Sequence, residues 1–160
     1  MTEGIAIVFG DDVNTDLLHP SYFFSLDTTR VRDGFLGAVE STADRGIDRA
    51  RIIVAGKNFG CGSSRETTMT ALRLAGVQAV VAESFGRIFF RNAMSLGVPA
   101  LTAPSLDGFA AAGDQLRITD GMLHNLTQRR RVALQTLDPM WAEVLEAGGM
   151  IAFLRKRGAL

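Results

Sequence analysis

A single cysteine, Cys61, stands in the whole chain, which excludes an internal disulfide. Histidine is nearly as scarce: His19 and His124 lie too far apart to suggest a metal pair by spacing, and each reads as structural or loop-exposed. No charge of either sign dominates, because 17 basic and 17 acidic residues cancel and are interspersed. That balance argues against a nucleic-acid partner, and the one basic run, Arg129-Arg130-Arg131, reads as a solvated turn before a strand at Val132-Ala133-Leu134. No apolar run approaches the roughly 20 residues that a membrane span requires, so no membrane association is expected. The N-terminus shows no basic segment followed by an apolar one, so the expected location is cytoplasmic. Repeats, low-complexity tracts and domain-splitting linkers are also missing. At 160 residues the chain is long enough to bury roughly two thirds of its unfolded surface around one core.

Against these absences, one stretch concentrates chemistry: Lys57-Asn58-Phe59-Gly60-Cys61-Gly62-Ser63-Ser64-Arg65-Glu66. It follows Arg51 to Gly56, a β-branched run bounded by glycine that predicts a short buried strand. Gly60 and Gly62 give the backbone access to left-handed dihedrals and leave room for a ligand. Downstream, Met69, Ala71, Leu72, Leu74 and Ala75 supply an apolar helical face that ends at Gly76, so the helix is expected to begin near Ser63 or Ser64. Its free N–H groups and positive dipole end favour a carboxylate or phosphate there, and the planar guanidinium of Arg65 suits bidentate carboxylate binding. Ser63-x-x-Glu66 also matches a capping box. The cap accounts for one serine and the glutamate, but not for two glycines, a second serine and an arginine in the same turn. The two readings are compatible. A P-loop is excluded, since no Gly-Lys-Ser/Thr closes the loop, and so is a Gly-x-Ser-x-Gly nucleophile elbow. Cys61, between two glycines and with no base nearby in sequence, reads as a small residue tolerated near a ligand.

The segment Asn58 to Glu66 resembles the signature of the aconitase-type swivel-domain family, whose shorter stand-alone members are the small subunits of isopropylmalate isomerase and homoaconitase. Gly10-Asp11-Asp12-Val13-Asn14-Thr15-Asp16 resembles the family's N-terminal Asn/Asp-Thr-Asp element, and Ser84 to Ala93 resembles a third family segment. The resemblance implies a swivelling β/β/α domain over residues 1–160, and a subunit of a hydro-lyase in the leucine-biosynthesis manner. Such an enzyme moves a hydroxyl between adjacent carbons of a hydroxy di- or tricarboxylic acid. By the same resemblance Ser63 is the catalytic base and Asp16 a second catalytic group, while Ser64, Arg65, Gly62 and Thr15 bind substrate. The family's four-iron, four-sulfur cluster needs several thiolates, so this chain binds no cofactor itself and a cluster-bearing large subunit is the expected partner. Self-association of the isolated chain is compatible with an exposed active-site surface.

Two departures stand out. Thr67-Thr68 replace the usual His-Ala, and Tyr22-Phe23-Phe24-Ser25 occupy the segment where the family carries a Tyr-Leu pair and a residue that tunes substrate choice. An aromatic pair there makes the pocket more apolar and reshapes it. This leaves a homoaconitase-like or other 2-hydroxyacid dehydratase subunit as an alternative, and a non-catalytic carboxylate-binding regulatory module as one of another class.

The remaining elements follow from pattern. Strands are expected at Gly4–Phe9, Val77–Ala82, Pro99–Leu101, Gln115–Ile118 and Arg131–Leu134, with a turn at Asp11–Asp16. Phe85, Ile88, Phe89, Asn92, Ala93 and Leu96 fall at helical spacing, and Pro139–Ala147 predicts a last helix closed by Gly148-Gly149. Thr28–Asp48, with three glycines, is expected to be a mixed, mobile segment shaping the substrate pocket. Alternating strands and helices predict an α/β layer structure, with a strand-rich C-terminal third.

Overall fold

The apolar run Arg51–Ala55 forms a strand buried at all five positions, as a central parallel strand covered on both faces must be. Around it, in a computed structural model that describes residues 1–38, 51–62 and 65–159, the chain builds a seven-stranded sheet. The strands are β1 (Thr2–Val8), β2 (Arg51–Ala55), β3 (Val77–Ala82), β4 (Ala100–Thr102), β5 (Gln115–Thr119), β6 (Met122–Asn125) and β7 (Arg130–Ala133). Their order is β4-β3-β2-β1-β5-β6-β7. The first four run parallel, with Ile7 opposite Ile53 and Ile53 opposite Val80. The last three form an antiparallel meander that joins the far side of β1, Gly4 facing Leu116.

Side chains alternate across the strands and so divide the core in two. On one face Ile7, Ile53, Ala55 and Val80 pack with Phe35, Met69, Leu72, Phe89 and Met94. These come from α2 (Thr28–Ala38), α3 (Glu66–Leu74) and α4 (Arg87–Ser95). On the other face Ala6, Ile52, Val54, Val81 and Leu101 meet Leu116 and Leu123 of the meander, together with Leu106 and Phe109. Leu123 of β6 thus shares one buried cluster with residues of β2, β3 and β4, strands three or more places away, as the sheet curls over this face. A four-residue helix, α1 (Thr15–Leu18), follows β1, and α5 (Pro139–Glu146) and α6 (Met150–Lys156) close the chain.

Several expectations need correction. The segment expected to be mixed at Thr28–Asp48 opens as α2, anchored by Val31 and Phe35 one turn apart and both buried; residues 39–48 lie outside the described residues. The turn expected at Asp11–Asp16 ends in α1. Strand β6 and helix α6 lie where neither was expected, so Pro139–Glu146 is not the last helix. Arg130 and Arg131 lie within β7, and the turn before it is at Arg129, at φ 56°. His124 sits on β6, paired with Arg117 and Arg131.

Candidate active site

Because β1, β2 and β3 are parallel neighbours, the loops that leave their C-terminal ends lie side by side, which is where open α/β sheets place ligands. The loop after β2 is the glycine-punctuated one, and it is pinned to both neighbours. Toward the β1 loop, Gly60 N–H donates to Val13 O at 2.8 Å and Thr15 N–H to Cys61 O at 3.1 Å. Toward the β3 loop, Phe59 N–H donates to Ser84 O at 3.0 Å, Gly86 N–H to Phe59 O at 2.8 Å, and Asn58 N–H to Ser84 Oγ at 2.8 Å. Asn58 holds φ 54°, Gly60 φ 75° and Gly62 φ 95°, so the path is left-handed at three of five residues. Glycine is required at 60 for a second reason: a Cβ there would enter the ring of Phe89, which is wholly buried.

The β1 loop contributes through Asn14. Its side chain caps α1 by accepting Asp16 N–H at 2.8 Å, and its amide lies 2.9 Å from where a Cβ on Gly62 would fall. Asp16 Oδ1 then meets Arg65 Nη1 at 3.5 Å, an exposed ion pair joining residues 49 apart. Arg65 is the N-cap of α3, with extended dihedrals, and its guanidinium lies 4.6 Å from the centroid of the Phe24 ring. Glu66 is therefore the first helical residue rather than the third, which removes the Ser63-x-x-Glu66 capping box.

The structure thus gathers Thr15, Asp16, Phe24, Gly62 and Arg65 into one cluster, with Thr15 buried and the charged pair open to solvent. Ser63 and Ser64 lie outside the described residues, between Gly62 and Arg65. Within the aromatic segment, Tyr22 is exposed and its ring lies tilted against Phe23 with centroids 4.5 Å apart, and Ser25 Oγ accepts Asp27 N–H at 3.0 Å. The Cys61 thiol donates to Asp12 O at 3.3 Å, which fits a loop-stabilising role. A cavity of about 640 Å³ opens beside these loops, lined by Phe9, Asp11, Lys57, Glu83 and Asp107 among others; among the described residues, none of those expected in the site lines it.

One residue beside the cluster was read from the sequence only as structural or loop-exposed. His19, at the C-terminus of α1, is buried; its Nε2–H donates to Val31 O at 3.0 Å, and its ring stacks on Phe24 at 5.2 Å. Burial holds its pKa below the ordinary histidine value, against a smaller opposing effect of the Val31 bond. No signal along the chain marks it: the fit of its ring against Gly34, where a Cβ would come within 2.6 Å, exists only in the folded structure.

The sequence profile of the aconitase C-terminal domain family matches residues 25–106, half of the chain. A protein of Pyrobaculum calidifontis named 3-isopropylmalate dehydratase small subunit is 39% identical over 160 residues, covering 98% of this chain and 99% of its own length. The chain belongs to this family of dehydratase small subunits. A second family member, the isopropylmalate/citramalate isomerase small subunit of Methanocaldococcus jannaschii, is 36% identical over 94% of this chain and 92% of its own. Among solved structures, 3-isopropylmalate dehydratase of the same organism superimposes with a TM-score of 0.86, at 31% identity, over 98% of this chain and 94% of that one. The β/β/α swivel implied by the three motifs is thus the fold of this dehydratase small subunit. Among its described residues no three His, Cys, Asp or Glu side chains converge, and no helix is long and apolar enough to cross a membrane.

Proposed function

We propose that the chain is the small subunit of a cytoplasmic hydro-lyase that interconverts 2- and 3-isopropylmalate by dehydration and rehydration, and that residues 1–160 act as one swivel domain. The observation that carries this reading is the meeting of Asp16 and Arg65, drawn from two motifs, at the end of the loop that leads into Ser63 and Ser64. A four-iron, four-sulfur cluster does not suit this chain's donors, with one cysteine and no convergent group among the described residues. That group belongs on the large subunit, where it supplies Lewis-acid chemistry at the substrate hydroxyl.

This chain's own residues handle the proton and the carboxylate. Ser63 takes a proton from the neighbouring carbon; a serine is a poor base unless its alkoxide is stabilised, which the N-terminus of α3 and the Arg65 cation both favour. Asp16 engages one guanidinium nitrogen at a long 3.5 Å, leaving the rest of the fork for a substrate carboxylate, beside Ser64, Gly62 and Thr15. Leu17, Tyr22 and Leu26 are exposed next to this cluster in the chain, an apolar rim that supports burial against the large subunit.

The test is anaerobic co-expression with the cluster-bearing large subunit and an assay of isopropylmalate interconversion alongside citramalate and related hydroxyacids. Turnover of isopropylmalate that Ser63→Ala abolishes is the expected result. Turnover of a different acid would shift attention to Tyr22-Phe23-Phe24-Ser25, and a cluster-loaded complex inert on every acid would leave the carboxylate-binding module.

A further inference from the structure

Behind the Arg65–Asp16 pair stands a column of groups that no motif accounts for. Arg65 lies 4.6 Å over the Phe24 ring, and Phe24 stacks on His19 with centroids 5.2 Å apart and planes 30° apart. The imidazole is fixed in turn. A carbonyl can only accept, so Nε2 carries the proton toward Val31 O, 3.0 Å away on α2. Gly34, one turn further along α2, leaves room for the ring: a Cβ there would stand 2.6 Å from His19 Cδ2 and 2.8 Å from Nε2. His19 is buried, and its Nδ1 is buried with no partner among the described residues. A leucine could fill such a site without leaving a polar atom unsatisfied, so a histidine there needs an explanation beyond packing.

We infer that His19 is a positioning residue: it ties α1 to α2 through Val31 and holds Phe24 flat as the platform on which the Arg65 guanidinium is presented to a substrate carboxylate. The inference rests on the reading of Arg65 as carboxylate ligand. The geometry explains why both ring character and an N–H donor are needed at one position. The ring supports Phe24, and the donor orients the ring against the Val31 carbonyl. Loss of the support frees Phe24 to rotate and lets the guanidinium sample other rotamers, which weakens substrate binding without removing the base.

The experiment uses the complex with the large subunit, assayed on isopropylmalate, with His19→Leu, His19→Phe, Phe24→Leu, the double variant His19→Leu/Phe24→Leu, and Arg65→Lys. The strength of a partly exposed cation–π contact sets the scale, so His19→Leu and Phe24→Leu should each raise KM roughly three- to tenfold with kcat little changed. The double variant should be no worse than Phe24→Leu alone, because His19 acts through that ring. His19→Phe, which restores a flat ring without the donor, should recover part of the loss. A purely structural role would lower thermal stability and leave KM alone. In parallel, 15N relaxation of the Arg65 side-chain Nε–H in the full chain should report an ordered guanidinium in wild type and a mobile one in His19→Leu. Equal order of Arg65 in the two proteins, or KM effects that multiply in the double variant, would overturn the inference. A normal KM for Arg65→Lys would instead remove Arg65 from carboxylate binding, while the relaxation experiment would still decide whether His19 orders it.

Discussion

Adding one methyl group to Gly60 tests how the site loop is held. Two penalties combine. At φ 75° an L-residue sits in the left-handed region, which costs roughly 1–2 kcal/mol. The new Cβ would also enter the ring of Phe89, a fully buried side chain at the centre of the helix-side core, and overpacking of that kind costs roughly 1–3 kcal/mol. Gly60→Ala should therefore destabilise the chain by about 2–5 kcal/mol, which for a chain of this size lowers the melting temperature by roughly 2–4 °C per kcal/mol. Two other glycines separate the penalties. Gly113, at φ 88° with nothing within 4 Å of an added Cβ, should show the backbone penalty alone, about 1–2 kcal/mol. Gly10, also with open space around it and with no positive φ, should be close to neutral. Urea denaturation of the three alanine variants gives the ranking directly. In the Gly60→Ala background, Phe89→Leu should relieve part of the loss and so couple to it by about 1 kcal/mol. If Gly60→Ala proved no less stable than Gly113→Ala, the loop would have room to shift away from Phe89. The account of a loop pinned against the core would then fail.

Three further outcomes follow from particular bonds. Asn14→Ala removes the cap on Asp16 N–H, so stability should fall by about 1 kcal/mol in chemical denaturation, and kcat/KM of the complex should fall with it as Asp16 loosens. Burial raises the pKa of Asp114, but bonds from Ala111 N–H, Asn125 and Gln128 outweigh it, and the folded pKa lies below the ordinary 3.8. Its contribution is then present above the unfolded value and lost as pH falls through the lower folded one; stability measured against pH should show an acid limb that Asp114→Asn removes. His19 has the same sign in a higher window: its folded pKa lies below 6.5, so stability is fully present above that value and declines as pH falls toward the folded pKa. Melting temperatures at pH 7.5 and 5 should differ less in His19→Phe than in wild type, and an unchanged difference would remove His19 from the titration.

The elements that could be read in advance are those whose residue types leave little choice. Ile52-Ile53-Val54 are apolar throughout, and Val77 to Ala82 at every position but the exposed Gln78, because β2 and β3 are covered on both faces, and runs of that kind have few alternatives. Elsewhere, local signals were overruled or passed over. Gly34 and Gly37 lower the helical propensity of α2, yet Gly34 is there to admit His19 and Phe23, a tertiary reason invisible along the chain. Ser63 is a good cap by type, but the helix begins later, with Arg65 at the cap and Glu66 at the first position. Strand β6 had a legible cue: Asp120 at φ 51° and Gly121 at φ 71° make the two-residue hairpin turn that Asp-Gly favours. Gly148-Gly149 read as an end and proved also to be a beginning, since Gly149, at φ 122°, is the N-cap of α6.

Why three motifs scattered over the first two thirds of the chain should form one site follows from the topology. Strands β1, β2 and β3 are parallel and adjacent in the order in which they occur, so their C-terminal loops are adjacent in the same order. The motif at Gly10–Asp16 leaves β1, that at Lys57–Glu66 leaves β2, and that at Ser84–Ala93 leaves β3. The middle loop gains backbone partners from both sides: Gly60 and Cys61 bond to Val13 and Thr15, and Phe59 bonds to Ser84 and Gly86. A loop held on one side only could swing with its helix. Held on both, it fixes where α3 begins, and with it the entry of Arg65 opposite Asp16. The aromatic support under Arg65 comes from a different route, the chain between α1 and α2, which is why strand order places the ion pair but says nothing of His19. The two supports therefore make separable demands. Perturbing Gly60 should disturb fold and site together, whereas perturbing His19 should reach the substrate through Arg65 alone.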